Sequence, residues 1–224
     1  MKKVVLSGKF LNSKINGIPR YAMEVVKHMD PLAEGMDIEI CYPTDLAADK
    51  IPDLKNIKPV PFGKNGKGWD ILCGEKYARR KNALYVNLAS RGGLYKNSIV
   101  CLHDIRPLTW DLQHGKKTNQ FLLDKLNFWL VAHNSKKIVT ISEFCRQEIA
   151  EYYHLNASDI AVAPEGAEHL NAIVCSEKML EKGEFYFSIG SMAPHKNFEW
   201  VVRTAKNNPP VSYTHLRAHE TLMN

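Results

Sequence analysis

The chain has 224 residues, of which 45% are hydrophobic, 24% charged and 9% aromatic. That is the composition of a globular protein and excludes a disordered, collagenous or coiled-coil chain. Thirty Lys and Arg against 24 Asp and Glu leave a formal charge of +6 spread along the sequence, so no nucleic-acid partner is expected, while anionic ligands or an anionic membrane face suit a mild basic excess.

Residues 3–7 are a short apolar run ending in Ser7-Gly8 and read as a strand, followed by a polar loop to Asn16-Gly17. From Ile18 the apolar side chains fall at Tyr21/Ala22, Val25/Val26 and Met29. This is the spacing of one helical face, and Pro19 is compatible with it because it lies in the first turn. Residues 36–42 alternate as a strand and stop at Pro43, which completes a β-α-β unit. Pro52, Pro59, Pro61 and the Gly-Lys-Asn-Gly-Lys-Gly stretch at 63–68 read as turns and loops. Strands are predicted over 83–87, 98–103, 137–141 and 160–163, and helices over 118–133 and from an N-cap at Ser142 through Tyr153. The alternation predicts an α/β fold with a parallel sheet and helices on both faces. A second beginning follows, with a strand over 184–190, a Pro-bearing turn and a helix over 196–206, and no strand or closing helix is read beyond Pro209.

Five cysteines, Cys41, Cys73, Cys101, Cys145 and Cys175, are widely separated without a C-x-x-C pair and read as buried free thiols. No Gly-x-Gly-x-x-Gly follows the first strand and no Walker lysine loop is present, which speaks against a nicotinamide-dependent dehydrogenase and a P-loop enzyme. Lys9 interrupts the first apolar stretch too early for a signal peptide, and no run of about 18 apolar residues follows. A cytoplasmic protein is expected, with peripheral contact at the inner membrane face left open.

Five short motifs stand in order: Gly-x-x-Arg-Tyr at 17–21, Leu-His-Asp at 102–104, Val-Thr-Ile-Ser-Glu-Phe at 139–144, Ala-Pro-Glu-Gly-Ala at 163–167 and Ile-Gly-Ser-Met-Ala-Pro-His-Lys-Asn at 189–197. Together they resemble the family 4 (group 1) glycosyltransferases, whose GT-B fold holds a nucleotide-sugar donor between two Rossmann-like domains. The resemblance implies an N-terminal acceptor domain over 1–180 and the first β-α unit of a donor-binding domain over 184–209. The tail at 210–224 does not resemble the family and looks like translated sequencing-adapter sequence, so the chain is expected to be a truncated gene product, inactive by itself. The implied activity is sugar transfer from a nucleotide-sugar donor to a saccharide or lipid-linked acceptor in surface-polysaccharide assembly, with no cofactor and no metal. The alternative is a non-catalytic acceptor-binding or membrane-surface module.

Gly17 stands where a strand turns into a helix, and a helix N-terminus there can face an anion. The resemblance brings this loop to the donor diphosphate or the acceptor, with Arg20 as charge partner; the plain alternative is a helix start with a surface arginine. His103 closes the run Ile99-Val100-Cys101-Leu102, at the strand end where open α/β sheets bind ligands. The family holds a catalytic histidine near the donor sugar at this place, which can donate a hydrogen bond without a fixed charge; otherwise the ring is satisfied by backbone. Asp104 reads as a turn residue. Ser142 and Glu143 read as a helix cap, and the Glu143–Glu151 spacing, eight residues on a helix, places both carboxylates in solvent. Lys196 follows Gly190 by six residues, matching the family's phosphate-binding Gly-Arg-x-x-x-x-Lys except that Ser191 replaces the arginine. Glu165, Glu168 and His169 read as solvated loop residues.

Overall fold

The structure, a computed structural model, describes residues 3–109, 119–168, 170, 185–189, 196–207 and 212–216. The chain divides into two compact units, Met1–His169 and Leu170–Asn224.

The first unit carries strands β1 (Val4–Ser7), β2 (Ile38–Tyr42), β3 (Lys58–Pro61), β4 (Leu84–Asn87), β5 (Ser98–Cys101), β6 (Lys137–Thr140) and β7 (Ile160–Val162). Its helices are α1 (Gly17–Met29), α2 (Lys76–Arg80), α3 (Asn119–Asn134) and α4 (Glu143–Tyr153). The strands form one all-parallel sheet in the order β3-β2-β1-β4-β5-β6-β7, so the protein is α/β and Rossmann-like. Strand order reverses between β1 and β4, and loops leaving the carboxyl ends beside such a reversal are where these sheets bind ligands.

Successive strand residues point to opposite faces, and the core divides accordingly. Leu6, Ile40 and Cys101 pack with Ala22 and Val26 of α1. Their neighbours Val5, Cys41 and Tyr85 face the other side, with Tyr77 and Ala78 of α2. Further along that side, Val100, Ile138 and Ile160 meet Phe128 and Val131 of α3 and Ile149 of α4. Ser142 caps α4 as its type predicts, its Oγ accepting from the Cys145 N–H at 3.1 Å.

Three segments depart from the sequence reading. Residues 58–61, read as a loop because of Pro59 and Pro61, form β3. This is an edge strand paired only with β2. Proline fits an edge because its missing N–H lies on the unpaired side, and the Phe62 N–H still donates to the Tyr42 carbonyl at 2.8 Å. Residues 70–80 are helical, Asp70–Glu75 with the wider π pattern and then α2; Gly74 inside them hides the pattern. In the second unit, β8 (Phe185–Ile189) and α5 (Phe198–Asn207) match the reading. However, Ser212–Leu216 form a strand, β9, parallel to β8, where none was expected. Tyr213 and Thr214 are strand-prone residue types, and the preceding prolines had suggested a break.

Among the described residues no helix is long and apolar enough to cross a membrane. A Cβ on Gly74 would run into the Tyr85 hydroxyl, so helix and strand approach this closely only with glycine there. Gly74→Ala is expected to destabilise by about 1–3 kcal/mol, the usual cost of overpacking. Tyr85→Phe in that background should recover part of the loss, as read by urea denaturation of the single and double variants.

Candidate functional site

A cleft of about 370 Å³ lies between the start of α1 and the loop that follows β7. Gly17, Arg20 and Tyr21 belong to one wall, and Pro164, Glu165 and Glu168 to the other. Asn16 precedes α1 in an extended conformation and its side chain caps nothing, so the N–H groups of the first turn lack a capping side chain. The place a Cβ would occupy on Gly17 has nothing within 4 Å; the glycine leaves open space at the cleft and is not demanded by a close backbone approach.

His103 follows the end of β5 and is 3% exposed. Its Nε2 lies 2.9 Å from the Leu88 carbonyl, and a carbonyl only accepts, so Nε2 carries the hydrogen. The ring packs edge-on against Tyr21 of α1, centroids 4.9 Å apart. Its other nitrogen, Nδ1, is buried without a hydrogen-bond partner and stands 3.5 Å from Oε1 of Glu165. The backbone-satisfied reading holds for Nε2, while Nδ1 faces Glu165 of the cleft wall. With a neutral ring Nδ1 is an acceptor, and it donates only when the imidazole is protonated.

The backbone around His103 is held equally closely. Its N–H donates to Ser90 Oγ at 3.1 Å, and Thr140 Oγ1 donates to its carbonyl at 3.2 Å. Asp104 accepts from the Arg106 N–H at 3.1 Å, as a turn residue should. The loop carrying Leu88 and Ser90 is itself clamped from behind. Glu75, buried, accepts from the N–H groups of Gly93 and Leu94 at 2.6 and 3.1 Å, and Asn127 of α3 accepts from Gly92 and donates to the Ser90 carbonyl. Arg91 meets Asp124 of α3 at 2.8 Å. Gly93, at φ +100°, lies where a Cβ would strike the backbone of α3 at Leu130 and Val131.

Glu165 and Glu168, read as solvated loop residues, are exposed but line the cleft. The contact between Glu165 and His103 has no local signal, because α3, β6, α4 and β7 intervene in sequence. Arg20 is exposed on the opposite wall and makes no ion pair among the described residues. Lys196 is exposed and belongs to the second unit, just ahead of α5. Gly190, Ser191, His169 and Cys175 lie outside the described residues. Glu143 and Glu151 are both exposed. Cys41, Cys101 and Cys145 are buried free thiols and Cys73 is half-buried. Burial pushes Cys41 up to about 12 and Cys101 up to about 11, so both stay protonated and unreactive near neutral pH. Among the described residues no three His, Cys, Asp or Glu side chains are grouped to hold a metal ion.

A scan against protein-family models finds no match for the chain, and a search of the curated proteins finds none either.

At the reversal point itself, Asp70 is buried beneath the ends of β1 and β4. Its Oδ1 accepts from Ser7 Oγ at 2.6 Å and from Asn87 Nδ2 at 2.7 Å. Burial pushes the Asp70 carboxyl above its ordinary value, against the pull of Ser7, Lys9, Asn87 and Arg91. A carboxyl raised by folding favours the folded state at pH values below the unfolded pKa, and that contribution is lost as pH rises toward the folded one. Asp70→Asn keeps an oxygen for both donors and removes the charge. It is therefore expected to match the parent's stability below about pH 4, the ordinary aspartate range, and to exceed it increasingly above. Thermal denaturation from pH 3.5 to 8 checks this, and a parallel pair of curves would refute it.

Proposed function

We propose that the chain is the acceptor-side part of a nucleotide-sugar-dependent glycosyltransferase that moves a sugar to a saccharide or lipid-linked acceptor in surface-polysaccharide assembly. The observation that carries this reading is convergence. Four of the five motifs that resemble the family 4 glycosyltransferases meet at one histidine: Tyr21 packs edge-on against His103, Thr140 bonds its carbonyl, and Glu165 faces its Nδ1. They do so beside a cleft at the carboxyl edge of the sheet, where such folds bind ligands.

In this reading the acceptor lies along the 163–168 wall. The donor diphosphate is met by the first turn of α1 at Gly17 and by Arg20, since helix N-termini and basic side chains suit phosphate, and Lys196 in the second unit is proposed on its own as a phosphate-binding residue. His103, shielded from water, supplies a positioned dipole or, when protonated, a positive charge as the glycosidic bond to the leaving diphosphate lengthens and the acceptor hydroxyl attacks. A non-catalytic acceptor-binding module, with or without membrane-surface contact, is the second reading. It is favoured by the carboxylates of Glu165 and Glu168 opposite Arg20, which oppose a diphosphate in the cleft.

Nucleoside diphosphate release from UDP-, GDP- and dTDP-sugars, with saccharide acceptors, separates the two. The assay is run on this polypeptide and on the longer reading frame that it is proposed to open. Turnover is expected from the longer chain and not from this one. His103→Ala and Lys196→Ala in the longer chain should each lower the rate by about 10²–10³, the usual effect of removing one preorganised electrostatic contact. A longer chain that releases no diphosphate would overturn the transferase reading, and an unaffected His103→Ala variant would leave that histidine a structural role only.

A further inference from the structure

Three glutamates, Glu24, Glu165 and Glu168, and one guanidinium, Arg20, line the cleft. Glu165, about half exposed with 47% of its side chain accessible, and Glu168 present carboxylates on one wall. On the other, His28 Nδ1 donates to the Glu24 carbonyl at 2.8 Å, which leaves Nε2 of the neutral ring as an acceptor. Glu24 is partly offset by Lys27 at 3.7 Å, whereas Glu165 and Glu168 face Arg20 and the first-turn N–H groups as the main donors of the site.

Behind Glu165 lies the unpartnered, buried Nδ1 of His103, 3.5 Å from Oε1. A buried polar atom without a partner is uncommon and calls for an explanation. The group facing it across 3.5 Å is a carboxylate, which also only accepts, so both atoms leave a donor to be supplied from the cleft.

We propose that Glu165 determines specificity in this cleft, its carboxylate receiving a hydrogen-bond donor of the acceptor sugar, an ammonium in preference to a hydroxyl, and rejecting a sugar that carries a carboxylate there. The inference rests on the cleft being the acceptor site. A carboxylate can only accept, so an ammonium gains a charge-assisted hydrogen bond, a hydroxyl a weaker one, and an anionic sugar meets two like charges. Toward Glu165, His103 has a second, positioning role: it stands 3.5 Å behind the carboxylate and limits its movement away from the cleft.

The test is an NMR titration of the 224-residue chain with glucosamine, glucose and glucuronate. The parent is expected to bind glucosamine most tightly and glucuronate about tenfold more weakly, a modest ratio because Glu165 is half in solvent. Glu165→Gln should bring the two within about twofold. Glu168→Gln, in the same wall and not the carboxylate paired with His103, should retain most of the discrimination. Glu165 lies on an exposed loop, and unchanged amide spectra for the variant verify its fold. Equal binding of glucosamine and glucuronate by the parent, no binding of any of the three sugars, or an unchanged ratio in Glu165→Gln would each overturn the inference. Failure of the transferase reading shows separately, as absence of diphosphate release from nucleotide sugars.

Discussion

The hydrogen bond from His103 Nε2 to the Leu88 carbonyl, 2.9 Å long and fully buried, is the contact on which the site depends. It commits one ring nitrogen and therefore decides what the other can do. It also requires the loop after β4 to hold its carbonyl still, and that loop could not do so alone, since Gly92 and Gly93 adopt positive φ angles. The clamp from Glu75, Asn127 and the Arg91–Asp124 pair supplies the rigidity. The histidine is thus aimed by a support that begins in α2's preceding turn and in α3, on the face of the sheet opposite α1.

The buried carboxylates show how differently one residue type can be used. Burial pushes Asp70 and Glu75 upward, and the N–H and O–H groups that they accept from only partly offset it. For Glu39 burial acts the same way, but Lys3 at 2.7 Å and the Tyr77 hydroxyl at 2.8 Å outweigh it and hold the carboxyl below its ordinary value. Glu39 lies in a strand, where backbone groups are already paired with neighbouring strands. Asp70 and Glu75 lie outside the strands: Asp70 accepts from the Ser7 and Asn87 side chains at the ends of β1 and β4, and Glu75 from loop N–H groups that have no sheet partner and need an acceptor. Their cost in stability secures loop conformations that apolar packing alone would not specify.

Much of the fold was legible because its signals are local. The apolar spacing from Tyr21 to Met29 gives α1, the Ser142 cap places α4, and short apolar runs between turns mark β1, β2, β4, β5 and β6. The strand at 58–61 was not legible, because prolines exclude a central strand and nothing local tells a reader that this one is an edge. The helix at 70–80 was hidden by Gly74, whose presence is explained only by the Tyr85 hydroxyl across from it. Of the candidate site, Gly17, Arg20 and His103 could be named from their places at element ends, while Glu165 could not, since nothing in Ala-Pro-Glu-Gly-Ala signals a neighbour on another strand's loop.

By itself the sequence determined most of the elements and the parallel α/β class, because periodicity, caps and turn residues act over a few positions. Only the tertiary structure decided that Tyr21, His103, Thr140 and Glu165 meet, which nitrogen of His103 is spent, and that the wall opposite α1 is acidic. Those outcomes follow from sheet register and strand order, which bring residues far apart in sequence within 5 Å of one another. Such contacts depend on how whole elements pack together and leave no trace in the spacing of neighbouring residues.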